Sequence, residues 1–195
     1  MKHIIVTRCK FDNENKFNNY LPLIKKYYIQ SINNQLDKNF EIGLVSNEKH
    51  FNLIRSLVDK NIKMTRFLDI KGDYKDYVIK NNIIIQTRHD CDDFMDKNYI
   101  KYIHNLYNIN KEKFDKFILN FHPNKLDYKT NNEYKHSRDY SKVCSMFSTL
   151  VQKDVKSGIM DVMHDHLSRI TRNIIYIDKP YVKLVIHDNN ILSRL

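Results

Sequence analysis

Three carboxylates crowd the end of an apolar run at Ile83-Ile84-Ile85-Gln86-Thr87-Arg88-His89-Asp90-Cys91-Asp92-Asp93. Asp90 and Asp92, separated by one residue and joined by Asp93, gather negative charge that a strand does not need and a divalent cation would neutralise. Such a pair can hold Mg²⁺ or Mn²⁺, which bridges the phosphates of a nucleotide and offsets charge on a departing diphosphate. The competing possibility is a capping cluster, in which Asp92 or Asp93 caps the next helix and Asp90 is merely exposed.

Histidines form the second set. His187 closes the last apolar strand, and an imidazole at a strand end can complete a coordination sphere begun by Asp92. His164 and His166 flank Asp165, a spacing that diverges on a helix and disfavours a zinc site built from the two. Asp165 is the better catalytic candidate, because a carboxylate near a metal and a diphosphate accepts the proton of an incoming hydroxyl. The chain has no Gly-rich phosphate loop, no nucleophile elbow and no Cys-x-x-Cys, which excludes dinucleotide-binding, P-loop, serine-hydrolase and redox chemistry.

Positioning these residues takes strands that end where they lie. Ile83–Ile85 are β-branched and predict a short strand buried on both faces, with its polar tail at the carboxyl end, where open α/β sheets bind ligands. His3-Ile4-Ile5-Val6-Thr7-Arg8 predicts a first strand that delivers Thr7 and Arg8 to the same edge. Leu21, Ile24, Tyr28 and Ile32 predict an amphipathic helix over 21–32, with Pro22 in its first turn. Phe40–Ser46 then reads as a strand ending in Ser46 and Asn47, and Glu48–Lys60 as a helix. A short strand over Ile62–Leu68 and a helical turn over Asp76–Asn81 complete a βα alternation, which implies a mostly parallel sheet.

Downstream, Tyr99–Ile109 reads as a helix and Lys116–Phe121 as a strand. The polar stretch Asn124–Ser141 reads as a hairpin or loop whose order depends on a ligand. Val143–Val151 returns to the core, and a helix is expected to start near Asp161–Leu167. Two late strands, Asn173–Ile177 and Tyr181–His187, lie on either side of the turn Asp178-Lys179-Pro180.

The 195 residues suffice for one sizeable core, so a single domain over 1–195 is expected. Only 3 Gly and 3 Pro leave little room for linkers. A net charge of +10 suits an anionic partner, but the basic residues are scattered, with no compact run, which favours a small anion over nucleic acid. Cys9, Cys91 and Cys144 are too few and too far apart for a disulfide framework or a zinc knuckle, which points to a reducing cytoplasm. No apolar run approaches the roughly 18 residues needed to span a bilayer, and the N-terminus lacks a signal-peptide core before Arg8 and Lys10.

The stretch Thr87-Arg88-His89-Asp90-Cys91-Asp92-Asp93 resembles the Thr-Arg-x-Asp-x-Asp-Asp signature of small GT-A-type glycosyltransferases, in particular a rhamnosyltransferase family. Val6-Thr7-Arg8, the approach Gln35–Val45 and the ending Val185–Leu195 also resemble it, while His89, Cys91 and Asp188 depart from its commoner residues. The resemblance implies an α/β, single-domain GT-A-like fold with a mostly parallel central sheet and flanking helices. It further implies metal-dependent transfer of a sugar from a nucleoside-diphosphate sugar to a hydroxyl acceptor. Thr7, Arg8, Ser46, Arg88 and Asp90 are then the expected nucleotide-sugar contacts, and Asp90, Asp92 and His187 the expected ligands of Mn²⁺ or Mg²⁺. Asp165 and Asp93 are the expected catalytic carboxylates. Alternatives are a DNA-modifying sugar transferase or metal-dependent nuclease of a phage or virus, and a noncatalytic nucleotide-sugar-binding module.

Overall fold

Ile4, Ile5 and Val6 are all fully buried, so the first strand, β1 (His3–Arg8), has protein on both faces, as its β-branched run requires. Each such side chain contributes about 2 kcal/mol on leaving water. The computed structural model describes residues 1–135, 147–161, 164–179 and 181–187, with the backbone alone at 164 and 165.

After β1 the chain forms α1 (Glu14–Leu23), a π-helical segment (Ile24–Ile29) and α2 (Gln30–Asn33). Next come β2 (Glu41–Val45), α3 (Glu48–Leu57) and β3 (Lys63–Phe67). A second π-helical turn (Ile70–Tyr74) leads through α4 (Lys75–Lys80) into β4 (Ile85–Arg88). The two-residue β5 (Phe94–Met95), α5 (Tyr99–Asn110), β6 (Lys116–Phe121), β7 (Asn124–Asp127) and β8 (Glu133–Lys135) follow. The remaining elements are β9 (Ser148–Gln152), a 3-10 helix (His164–Arg169), β10 (Ile174–Ile177) and β11 (Val182–Ile186).

The first helix differs from its sequence expectation at both ends. It starts at Glu14, because the Asn13 side chain accepts the backbone N–H of Lys16 at 2.9 Å and caps it. Pro22 therefore lies inside the helix rather than in its first turn, where it lacks an N–H and crowds the preceding turn. The backbone widens into the π segment directly afterwards.

Seven strands form one sheet in the order β10-β6-β9-β4-β1-β2-β3. β4, β1, β2 and β3 pair in parallel, and so do β6 and β10. β9 runs antiparallel to both of its neighbours, β4 and β6. The expected mostly parallel sheet is thus a mixed one. From β1 the chain steps outward to β2 and β3, then returns to the other side of β1 with β4. That reversal opens a crevice beyond the carboxyl ends of β1 and β4, the usual place for a ligand in such sheets.

Helical residues pack on one face of this sheet, where Phe17, Tyr28, Ile32, Ile54, Tyr99 and Ile103 meet Ile5, Ile42 and Phe117. On the other face Tyr74, Val78, Val155, Ile159 and Leu167 cover Ile4, Val6 and Ile118. Gly43 fits here because a Cβ would lie 2.6 Å from the Phe67 ring.

A second sheet has the order β5-β11-β7-β8. It places β10 and β11 in different sheets, so the two late strands do not form a hairpin around the 178–180 turn. β7 and β8 do form one within Asn124–Ser141, closed by a turn in which Asn131 takes φ 55° and Asp127 accepts two backbone N–H groups. Residues 136–141 of that stretch and 143–146 before β9 lie outside the described residues. The helix expected from Asp161 is the 3-10 helix at His164–Arg169. Among the described residues no helix is long and apolar enough to cross a membrane.

Candidate functional site

Past β4 the chain keeps contact with β1 for one more residue, since the His89 N–H donates to Val6 O at 3.1 Å. The His89 ring is fully buried, stacked on Tyr28, and its Nε2 lies 3.2 Å from the Asp93 carbonyl oxygen. Burial pushes its imidazole down to about 4, so the ring is neutral at pH 7 and donates from Nε2. The Asp93 N–H in turn reaches back to Asp90 O at 3.3 Å. These bonds fold 89–93 into a closed turn that fixes where each acidic side chain points.

Asp90 and Asp92 face a cleft of about 290 Å³. Arg8, Lys10, Lys16 and Arg88 line it as cations, Phe11 and Tyr20 as rings, and Cys91 completes the floor between the two aspartates. Arg88 Nη2 sits 3.8 Å from Asp90 Oδ1. Burial raises the Asp90 carboxyl above its usual range, while Arg88 and Arg8 pull it back. Four cations line the cleft against Asp90 and Asp92, and with Lys16 paired to the exposed Asp12 at 3.2 Å the balance is still positive, which suits an anion such as a diphosphate.

Asp92 meets His187 across the two sheets, with Oδ2 to Nε2 at 2.9 Å and both side chains largely buried. A carboxylate only accepts, so Nε2 carries the proton in this pairing. The contact exists because β5 leaves the acidic turn and pairs antiparallel with β11, whose end carries His187. Asp93 lies in the same junction but is 1% exposed and turned inward, its Oδ1 accepting the Val185 N–H at 2.9 Å. Burial, then Asp92 and Asp90, raise its carboxyl well above the ordinary value.

The sequence-predicted residues divide accordingly. The cleft brings together Arg8, Arg88, Asp90 and Asp92, and His187 joins them through Asp92. Thr7 and Ser46 are buried at the ends of β1 and β2 and do not line the cleft. Asp93 does not line it either, and it fastens the second sheet instead. The side chain of Asp165 lies outside the described residues. Neither Asp92 nor Asp93 caps a helix: α5 starts after Asn98, without a side-chain cap.

Lys10, Phe11, Lys16 and Tyr20 are cleft residues absent from the sequence prediction. Their signal was the Asn13 cap, which sets Lys16 and Tyr20 four apart on one helical face.

The Asp92–His187 separation also bears on a metal. Two neighbouring ligands of an octahedral ion with bonds of about 2.1 Å are about 3 Å apart, close to what this pair already shows. Among the described residues no group of three or more His, Cys, Asp and Glu forms a cage.

A hollow of about 300 Å³ at the opposite edge of the sheet, lined by Lys2, Lys38, Glu41 and Lys63, is a poorer candidate. Its lysines are already engaged, with Asn81 O, Asn33 O and the Glu41 carboxylate respectively.

No protein-family model and no curated sequence matches the chain. Its fold is similar to that of S. aureus TarS 1-349 in complex with UDP-GlcNAc, with a TM-score of 0.59 and 13% identity over all of this chain and 61% of that one. The same 1-349 piece in complex with UDP gives a TM-score of 0.57 at 12% identity, over 95% of this chain and 61% of that one. A longer S. aureus TarS structure gives 0.58 at 12% identity, over 95% of this chain and 37% of that one. The chain thus spans about three fifths of the shorter TarS piece, and what the two share at this identity is the fold.

Proposed function

We propose that this chain is a GT-A-type glycosyltransferase that uses Mn²⁺ or Mg²⁺ to bind a nucleoside-diphosphate sugar and passes the sugar to a hydroxyl acceptor. The observation that carries the reading is the Asp92–His187 contact at 2.9 Å, whose carboxylate also lines a cleft with four cations. The fold shared with TarS in its UDP and UDP-GlcNAc complexes supports the choice of a uridine diphosphate donor.

In this reading Asp92 and His187, with Asp90 beside them, would hold the cation, and a bound cation would offset charge on the leaving diphosphate. Arg8, Arg88, Lys10 and Lys16 hold the diphosphate oxygens and orient them. Asp165 takes the proton of the acceptor hydroxyl. Asp93 serves the site by fixing β11, and Thr7 and Ser46 by closing the strand ends beneath it.

Calorimetry with uridine, guanosine and thymidine diphosphate sugars, rhamnosyl donors included, tests this with and without Mn²⁺. Binding of one donor class that requires the cation, with release of its nucleoside diphosphate on turnover, is the expected result. Donor affinities that are equal with and without Mn²⁺, or no binding by any donor, would overturn it.

A further inference from the structure

His187 packs against an aromatic ring of α1. Tyr20, on α1, meets the imidazole edge to face, with ring centroids 5.2 Å apart and planes at 89°. Phe11, in the loop after β1, backs Tyr20 at 5.1 Å. The three rings thus run from the end of β1 through α1 to the end of β11.

A histidine that ligates a metal is ordinarily oriented by a hydrogen bond from its second ring nitrogen. His187 Nδ1 is buried and has no hydrogen-bond partner among the described residues. Its polar contact is Nε2 to Asp92, the atom that must give up its proton if it is to face a cation. Orientation of the ring is therefore left to packing, and Tyr20 is the side chain placed to provide it.

We infer that Tyr20 is a positioning residue: its ring holds the His187 imidazole with Nε2 turned toward Asp92, in place of the usual hydrogen bond. The inference rests on the cation site proposed above. It gives α1 a part in that site, through a residue that touches the ligand's side chain and not the cation.

The test is Mn²⁺ affinity in the presence of UDP, followed by electron paramagnetic resonance, for the wild type, Tyr20→Phe, Tyr20→Leu and His187→Ala. Tyr20→Phe should stay within about 2-fold of wild type, while Tyr20→Leu should bind about 10-fold more weakly. The thermal midpoints should match. Added to His187→Ala, Tyr20→Leu should cost nothing further, since the two residues act as one unit.

Wild-type affinity in Tyr20→Leu would overturn the inference. So would a loss in Tyr20→Phe as large as in Tyr20→Leu, which would point to the hydroxyl instead. If the wild type itself binds no Mn²⁺, the cation site falls and the role of Tyr20 falls with it. Tyr20→Met, which fills similar space without an aromatic ring, replaces Tyr20→Leu should that variant fail to fold.

Discussion

The carboxylate of Asp93 accepts the backbone N–H of Val185 at 2.9 Å across a separation of 92 residues. It stands where the short β5 ladder stops, and so continues the pairing of β11 with a side chain. Asparagine retains an oxygen that can accept this bond, and with the carboxyl held high by burial it also resembles the protonated acid. Asp93→Asn should keep stability within about 1 kcal/mol, whereas Asp93→Ala strands a buried N–H and should cost about 1–3 kcal/mol in urea unfolding. Equal losses in the two variants would mean that the hydrogen bond to Val185 is not what matters.

Asp92 is the clearest point of attack on the proposed chemistry. Asp92→Asn should abolish Mn²⁺-dependent nucleotide-sugar binding in calorimetry and leave the thermal midpoint within a few degrees. His187→Ala should weaken Mn²⁺ less severely, by about 10- to 100-fold. Unchanged binding in Asp92→Asn would remove this pair from the site.

Buried imidazoles make the fold sensitive to acid. An unfolded His89 gains a proton near 6.5, while the folded one resists until about 4. Between those values the unfolded state binds more protons, so the contribution is fully present above pH 6.5 and is lost as pH falls toward 4. For His89 alone the loss is on the order of 3 kcal/mol. His3, also lowered by burial, acts in the same sense. Asp93 opposes them, since its raised carboxyl favours the native state at the acid end. Urea unfolding of wild type and His89→Phe between pH 4 and 6.5 isolates the effect, and the variant should show the flatter dependence. Parallel profiles would show that His89 is not responsible.

A second buried chain crosses the domain away from the cleft. Asp37 Oδ2 accepts from His104 Nδ1 at 2.6 Å, and His104 Nε2 lies 3.0 Å from His3 Nδ1. His3 Nε2 lies 2.8 Å from the Thr87 hydroxyl, which is 2.8 Å from that of Thr149. Only one direction of donation satisfies every neutral member, running from Thr149 to Asp37. His104→Ala would leave the His3 donor without its partner and should cost about 1–3 kcal/mol by urea unfolding, while metal affinity stays at wild type. A His104→Ala protein as stable as wild type would show the chain to be dispensable.

Much of this was legible in the residues. Lys116–Phe121 is a strand end to end, and Asp92 and His187 do meet, because a β-branched run that stops at acid or imidazole marks a strand end. The reversed course of β9 was not legible, since side-chain alternation is the same in either direction. Nor does the pattern of 181–187 say which sheet that strand joins. β1 ends at Arg8 as its pattern predicts, but that pattern does not say which of its last residues faces the cleft, and Thr7 is fully buried. For Lys16 and Tyr20 the apolar pattern carries no signal, because Phe17 and Leu23 alone are buried in α1, too few to show a period, which leaves only the Asn13 cap to mark them.

The pairing of Asp92 with His187 also has a bearing on synthesis. Its two halves are 95 residues apart in the chain, and the later half arrives on β11, at the end of the described fold. A nascent chain can build β1 to β4 and their helices well before then, yet it carries only the acidic half of the pair. Cleft cations and carboxylates precede the imidazole on the ribosome, so a product truncated before residue 182 would keep most of the large sheet without a complete site.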